Sequence, residues 1–248
     1  MTRSYGPPSQ PPGPPPRRGV DAYLLGVVGV LAIAVVVALV VWIAVGPERS
    51  QPRAVPDQSP GGTATTTVAV QLPAADDLLL AAGAATPVGP AEPTAMGSNF
   101  FRSAEPAQCA PALLSKDSPL LPPTPEDHAE AAYPFGDVTL AESVDVYEQP
   151  LKADHVIRDG SEMVATCTGA ATAVSGRSRL DGLRLGQLST PSVGVLVWQM
   201  ATSSWNCDYG LAVTEHVTLV TSYCAAQPGF PIADWIATRR AQLLAQEA

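Results

Sequence analysis

The sequence predicts an α+β domain: a twisted antiparallel sheet with flanking helices and two disulfides, preceded by one transmembrane helix. Three observations carry that expectation. Short runs of alternating apolar and polar residues succeed one another through the last third of the chain. Four cysteines, Cys109, Cys167, Cys207 and Cys224, all lie beyond residue 100. Near the N-terminus, Tyr23 to Val45 is a run of 23 residues without a charge.

Residues 1–21 come first and hold Pro7, Pro8, Pro11, Pro12, Pro14, Pro15 and Pro16. Such a tail favours extended polyproline conformations and has little to bury. It reads as a solvated cytoplasmic leader, with Pro8-Ser9-Gln10-Pro11 in PxxP form. The span, residues 22–46, follows. At about 1.5 Å per residue its apolar run is long enough to cross a ~30 Å hydrocarbon core, and lipid forces internal backbone hydrogen bonding and hence a helix. A cleaved signal peptide would have a shorter apolar core, and Pro47 would directly follow the cleavage spacing at Ala44-Val45-Gly46. No cysteine stands near the end of the run, so no lipid attachment point is present there. Arg3, Arg17, Arg18 and the N-terminal amine precede the run, against Arg49 and Arg53 after it, which points the N-terminus to the cytoplasm. Ala22/Gly26 and Ala34/Ala38 space small residues four apart, which leaves a homodimer through the span open. Residues 47–69 are rich in Pro, Gly and Thr without periodicity and read as a spacer.

Residues 70–248 are enough for one domain with a substantial core. Asp76 and Asp77 sit in the first turn of a short helix ending near Gly83. Residues 84–98 and 115–125 read as loops, the second carrying Pro119, Pro122, Pro123 and Pro125. Thr124-Pro125-Glu126-Asp127 has the form of an N-cap with proline at the first helical position, so a helix is expected through Ala132. Val138 to Gln149 alternates as a strand. Leu151 to Cys167 carries Leu151, His155, Arg158, Glu162 and Met163 at helical spacings. Leu180–Leu188, Val193–Thr202, Trp205–Val213 and Val217–Cys224 are four strands at short intervals, an antiparallel meander. Pro231 to Ala245 closes the chain as a helix, with Ile232, Trp235, Ile236, Leu243 and Leu244 toward the sheet and Arg239-Arg240 outward.

The third and fourth of those strands fix a geometry. If Glu215 and His216 form a two-residue turn, Thr214 lies opposite Val217 and the register sets Cys207 opposite Cys224. Seven steps from a hydrogen-bonded pair the facing pair is non-hydrogen-bonded, with Cα atoms about 4.5–5.5 Å apart, a separation that suits a disulfide. Glu-His lacks the Asn-Gly chemistry of such turns, and a longer bulged turn would shift the register by one. If Cys207 pairs with Cys224, Cys109 pairs with Cys167, and two bridges imply an oxidising compartment beyond the membrane. The competing readings are four reduced buried thiols or a zinc site, and no Cys-x-x-Cys or His pair at ligand spacing supports the latter.

Charge and motif content restrict function. Three of the 14 Lys/Arg and one of the 23 Asp/Glu precede the apolar run, leaving 11 against 22, a net of −11. So acidic a domain lacks the electrostatic footprint of nucleic-acid binding. The chain has no Gly-x-Ser-x-Gly elbow, His-Glu-x-x-His helix or phosphate loop. Glu126, Asp127 and Glu130 read as a solvated helix start rather than an acid/base pair. His216 reads as a solvent-facing turn residue, and His155 as a packed or exposed helix residue. Trp198, Trp205, Tyr209 and Tyr223 read as strand core residues, Trp205 packing over the adjacent disulfide, with an apolar ligand cleft as the alternative use.

Trp205-Asn206-Cys207, an apolar strand, a short turn, a second strand ending in Cys224 and a C-terminal helix together resemble the extracytoplasmic sensor domain of actinobacterial PknH-type serine/threonine kinases. The resemblance covers roughly residues 70–247. Leu72-Pro73 with Leu78-Leu79 match the family's opening, and Met96, Cys109 and Cys167 fall around its first bridge. No kinase domain precedes the membrane, so phosphoryl transfer is not implied. Asp208-Tyr209 and Glu215-His216 depart from the family's usual residues. The resemblance implies a twisted antiparallel sheet with helices and two disulfides around a solvent-exposed cleft that binds an unidentified envelope ligand, and it carries over no catalytic residues; no cofactor or metal is expected.

The expectation is therefore a single-pass membrane protein, held in the bilayer by Tyr23–Val45, whose outer domain binds a small molecule or partner of the cell envelope. The alternatives are an envelope hydrolase acting on glycans or lipids, and a structural scaffold. A hydrolase requires paired carboxylates, or a serine near a histidine, in the main cleft.

Overall fold

The computed structural model describes residues 71–98 and 100–247. The Pro-rich tail, the apolar span with its small-residue spacing and the linker lie outside the described residues. Among those described, no helix is long and apolar enough to cross a membrane.

Eight antiparallel strands form one sheet. β3 (Phe101–Glu105) lies at one edge, and β4 (Asp127–Phe135) and β5 (Val138–Val146) form a hairpin at the other. A helix, α3 (Ala153–Ala165), carries the chain back to β6 (Ala171–Ser175) beside β3. A meander then crosses the sheet through β7 (Arg179–Ser192), β8 (Val195–Ala201), β9 (Asn206–Val213) and β10 (Val217–Ala225), which pairs with β5. The final helix, α4, is Ile232–Gln246. Two short helices, α1 (Ala75–Leu78) and α2 (Ala110–Leu113), and a two-stranded hairpin of β1 (Ala85–Thr86) and β2 (Gly89–Pro90) complete the domain.

Both sheet faces are buried, each by a set of period-two residues. Leu196, Trp198, Tyr209, Leu211 and Val220 face α3 and α2 on one side. Val195, Val197, Ala212, Leu219 and Val144 face Ile236 and Leu243 of α4 on the other, α1 adding Ala75 and Leu78. The central strands are therefore apolar on both faces and read as nearly continuous hydrophobic runs. α4 comes so close to β9 that a Cβ at Gly210 would lie 2.9 Å from the Ile236 Cβ.

The hairpin register is the expected one. The Thr214 N–H donates to the Val217 carbonyl at 2.9 Å, and Cys207 stands opposite Cys224. The Cys207–Cys224 bridge joins Cα atoms 4.0 Å apart, and Cys109–Cys167 joins Cα atoms 4.6 Å apart.

Several local expectations are corrected. The helix expected from Thr124 to Ala132 is absent: Asp127–Phe135 is edge strand β4, paired along its length with β5. Ala129, Ala131 and Tyr133 recur with period two and bury one face of that strand, and this packing overrides the local cap signal. Thr124 itself has φ +60°, outside the conformation of an N-cap. The first helix stops at Leu78 because Leu79 turns extended. Residues 84–98 hold β1, β2 and a bridge from Thr94 to Ala132.

In α4 Arg239 points inward and only 3% of it is exposed, whereas Leu244 is exposed. The Arg239 Nε donates to Glu142 Oε1 at 2.8 Å and its Nη2 to Glu142 Oε2 at 3.1 Å and to the Leu78 carbonyl at 2.7 Å. A buried guanidinium is tolerable here because its carboxylate and carbonyl partners are buried with it. His216 is buried as well: its Nδ1 lies 2.9 Å from the Tyr147 carbonyl, and Glu247 accepts from its backbone N–H at 3.0 Å.

Candidate functional site

A cleft of about 370 Å³ opens on the α3 face of the sheet. Its floor comes from three adjacent strands: Thr139 and Ala141 of β5, Ser222 and Cys224 of β10, and Tyr209 of β9. Strand pairing explains this grouping, since Ser222 stands opposite both Ala141 and Tyr209 and Cys224 opposite Thr139. One wall holds Phe100 and Phe101 at the start of β3, and another Leu113 and Ser115 at the end of α2. The β6–β7 turn adds Ser175, Arg177, Arg179 and Leu180, and half-buried Trp205 closes the end beside the Cys207–Cys224 bridge.

Two stacked rings brace the α2 wall. Trp198 and Tyr209 are a cross-strand pair with parallel rings 5.2 Å apart. The Trp198 Nε1–H donates to the Ala112 carbonyl at 2.8 Å and the Tyr209 hydroxyl to the Leu113 carbonyl at 3.2 Å. Burial pushes the Tyr209 phenol well above its ordinary pKa, so it stays a donor. The Cys109–Cys167 bridge fixes the start of α2 to the residues after α3.

The electrostatics of the cleft are one-sided. Among the described residues Asp137, on the β4–β5 turn, is its one lining carboxylate, and no histidine lines it. Arg177 and Arg179 stand on the opposite turn, and the Arg102 guanidinium lies over the Phe100 ring, 5.6 Å from its centre. Arg179 is engaged by Asp181 at 2.9 Å and Glu105 at 3.1 Å.

Of the four aromatic residues singled out from sequence, Trp205 and Tyr209 line the cleft. Trp198 is core. Tyr223 lies on the other face, stacked on Phe230 with ring centres 4.3 Å apart. Phe100, Phe101, Arg102, Arg177 and Arg179 were not legible as site residues. Their signal, two arginine-bearing segments (Phe100-Phe101-Arg102 and Gly176-Arg177-Ser178-Arg179) in an acidic domain, acquires meaning only when β3 pairs with β6.

A second hollow lies between the Pro-rich 116–125 segment and β4–β5. There His128 Nδ1 is 2.6 Å from Asp145 Oδ1, and Glu130 binds Lys116 at 2.8 Å. Asp127 is partnered as well, its Oδ2 accepting from the Ala75 N–H at 2.8 Å. Ser143 lines the same hollow, but no hydrogen bond joins it to His128, so the nucleophile–base contact of a catalytic triad is not made. His155 is exposed on α3 beside Asp154. Among the described residues no group of three or more His, Cys, Asp or Glu is placed to hold a metal ion.

No family model matches the chain. Among curated proteins it is 47% identical over 173 residues to the protein named "Putative lipoprotein LprH" in Mycobacterium bovis and in Mycobacterium tuberculosis, which covers 69% of this chain and 76% of the relative. The chain belongs to the LprH family. Among solved structures it is similar to the extracellular domain of PknH from Mycobacterium tuberculosis, with a TM-score of 0.42 and 16% identity over 59% of this chain and 81% of that one. The LprH relationship rests on 47% identity over 173 residues.

Proposed function

We propose that this LprH-family chain is a non-catalytic envelope protein whose extracytoplasmic domain, residues 70–248, binds a small envelope molecule in the cleft on the α3 face. The observation that carries this reading is the make-up of the cleft: aromatic walls and a hydroxyl-bearing floor on a disulfide-stapled sheet. Its volume lies in the range of small-molecule sites. Both bridges favour an oxidising compartment, and the lipoprotein name of the relative agrees with an envelope location. The anchor is proposed to be the apolar segment Tyr23–Val45, N-terminus in the cytoplasm, because the sequence has no cysteine before Cys109 to carry a lipid.

The test is native mass spectrometry of the full chain after incubation with an envelope extract. The expected result is a reproducible co-purifying small molecule that is lost in Ser222→Phe, which fills the floor while the domain keeps its near-UV circular dichroism. Retention of the same molecule by Ser222→Phe, or no bound molecule at all, would overturn the reading.

A further inference from the structure

Resting on the cleft reading above, we infer that the ligand class is an amphiphile with one apolar chain and an anionic, phosphate-type head. The apolar chain lies against Phe101, Leu180, Trp205 and the Cys224 sulfur. The head meets Arg102 and Arg177 at the rim.

Residues 71–247 contain nine Lys/Arg against 20 Asp/Glu, so cationic groups are scarce and their placement is informative. Three of the nine converge on one side of the cleft. Pairing of Phe101 with Ser175 and of Ser103 with Val174 brings Arg102 beside the β6–β7 turn. Its guanidinium lies so close to Gly176 that a Cβ there would sit 3.5 Å from Arg102 Nη2. Arg177 is the next residue. Arg179 is already neutralised by Asp181 and Glu105, whereas Arg102 and Arg177 make no ion pair among the described residues. Two exposed arginines, one packed against Gly176 and the other next to it in sequence, stand at one turn of a domain of excess negative charge and can share an anion. Phosphate oxygens match the planar donor fork of arginine.

The interior calls for a different chemistry. Phe101, Leu180 and Trp205 are partly buried against the core and leave an apolar surface toward the opening. Ser98 Oγ, also lining the cleft, is buried without a hydrogen-bond partner among the described residues. A buried hydroxyl left unpaired costs free energy, and an ester or glycerol oxygen at the neck between chain and head would satisfy it. Asp137 stands among the lining residues of the β4–β5 turn and disfavours a head at that end. Apolar wall, unpaired hydroxyl and paired cations are thus the three parts of a phosphorylated aliphatic molecule.

The experiment uses the full chain in nanodiscs of zwitterionic phosphatidylcholine. Three probes are titrated below their micelle concentrations: n-octyl phosphate, n-octyl glucoside and inorganic phosphate. Trp205 fluorescence is the readout, with Trp205→Phe as the blank that removes partitioning into the disc. The expected result is that octyl phosphate binds about tenfold more tightly than octyl glucoside, the scale of one charge-assisted contact. The double variant Arg102→Ala/Arg177→Ala, both exposed positions, should abolish that preference and leave octyl glucoside unchanged. Equal affinity for the two octyl probes, or a preference that survives the double variant, overturns the anionic head; binding of both that Ser222→Phe abolishes would then leave the cleft reading standing. Inorganic phosphate binding as tightly as octyl phosphate overturns the apolar chain. Absence of binding by every probe overturns the ligand class, and the envelope-extract experiment decides the cleft separately.

Discussion

Replacing Arg239 by Met tests whether the buried ion pair under α4 holds the domain together. Side-chain exposure is 4% for Arg239 and 0% for Glu142, so water cannot take over the role of a lost partner. Arg239→Met leaves the Glu142 carboxylate buried without a cation, which costs about 3–5 kcal/mol. Glu142→Leu strands the guanidinium and is expected to cost about as much. For a domain of this size each kcal/mol lowers Tm by about 2–4 °C, so either single variant should melt roughly 6–20 °C early. The double variant Arg239→Met/Glu142→Leu removes both charges and should recover most of that loss. What remains is the orphaned Leu78 carbonyl, to which Arg239 Nη2 donates at 2.7 Å, at about 1–3 kcal/mol. Urea unfolding at pH 7 with disulfides intact, followed by near-UV circular dichroism, measures all three. The reasoning is refuted if Arg239→Met costs less than about 1 kcal/mol, or if the double variant loses the sum of the singles, since a coupled buried pair cannot be additive.

The two bridges should differ in worth. They span 58 and 17 residues of sequence, for which chain entropy gives about 4.2 and 3.1 kcal/mol; unfolding of Cys109→Ser/Cys167→Ser and Cys207→Ser/Cys224→Ser should preserve that order. Asp208, which accepts from Gln199 Nε2 at 2.9 Å, has its carboxyl pKa raised by burial. Its folded pKa exceeds the unfolded value of about 3.9, so its ionisation destabilises the domain as pH rises through that window. Asp208→Asn should therefore raise the unfolding midpoint at pH 7, with the gain vanishing below the carboxylate range; a gain that persists in acid would contradict it. Gly210→Ala would drive a Cβ to 2.9 Å from the Ile236 Cβ and should cost about 1–3 kcal/mol, read as a lower thermal midpoint; an unchanged midpoint would mean that α4 can move off β9 at no cost.

What the sequence makes legible follows the range of the contacts involved. The Trp205–Cys224 hairpin is set by a two-residue turn and period-two alternation, both local, so its register and bridge could be read without tertiary information. β4 could not. Thr124-Pro125-Glu126-Asp127 and the alanines after it favour a helix locally, and only pairing with β5 and burial of Tyr133 select the strand. The inward side of α4 for Arg239 is not legible locally, because an arginine pair in a helix is ordinarily solvated and the partner, Glu142, is 97 residues away. The same holds for His216: a turn residue is exposed by default, and this one is covered by Tyr147 and Glu247. β3 and β6 are five residues each and too short to show a period.

The cleft was hidden for that last reason, and its position accounts for the two disulfides better than stability alone. Cys207–Cys224 ties the β9–β10 pair at the end where Cys224 enters the floor and Trp205 closes the cleft. Cys109–Cys167 fixes the start of α2, whose far end supplies Leu113 and Ser115 to the wall. Trp198 and Tyr209 hold the intervening carbonyls, so floor and wall share one braced unit. A general stability staple can sit anywhere that two strands or helices meet, yet here Cys224 lines the opening itself and Cys109 begins the short helix whose far end does. Rigidity placed there lowers the ordering cost of binding. Reduction of Cys109–Cys167 should accordingly release the α2 wall and weaken ligand retention under conditions where the central sheet, held by burial on both faces, remains folded.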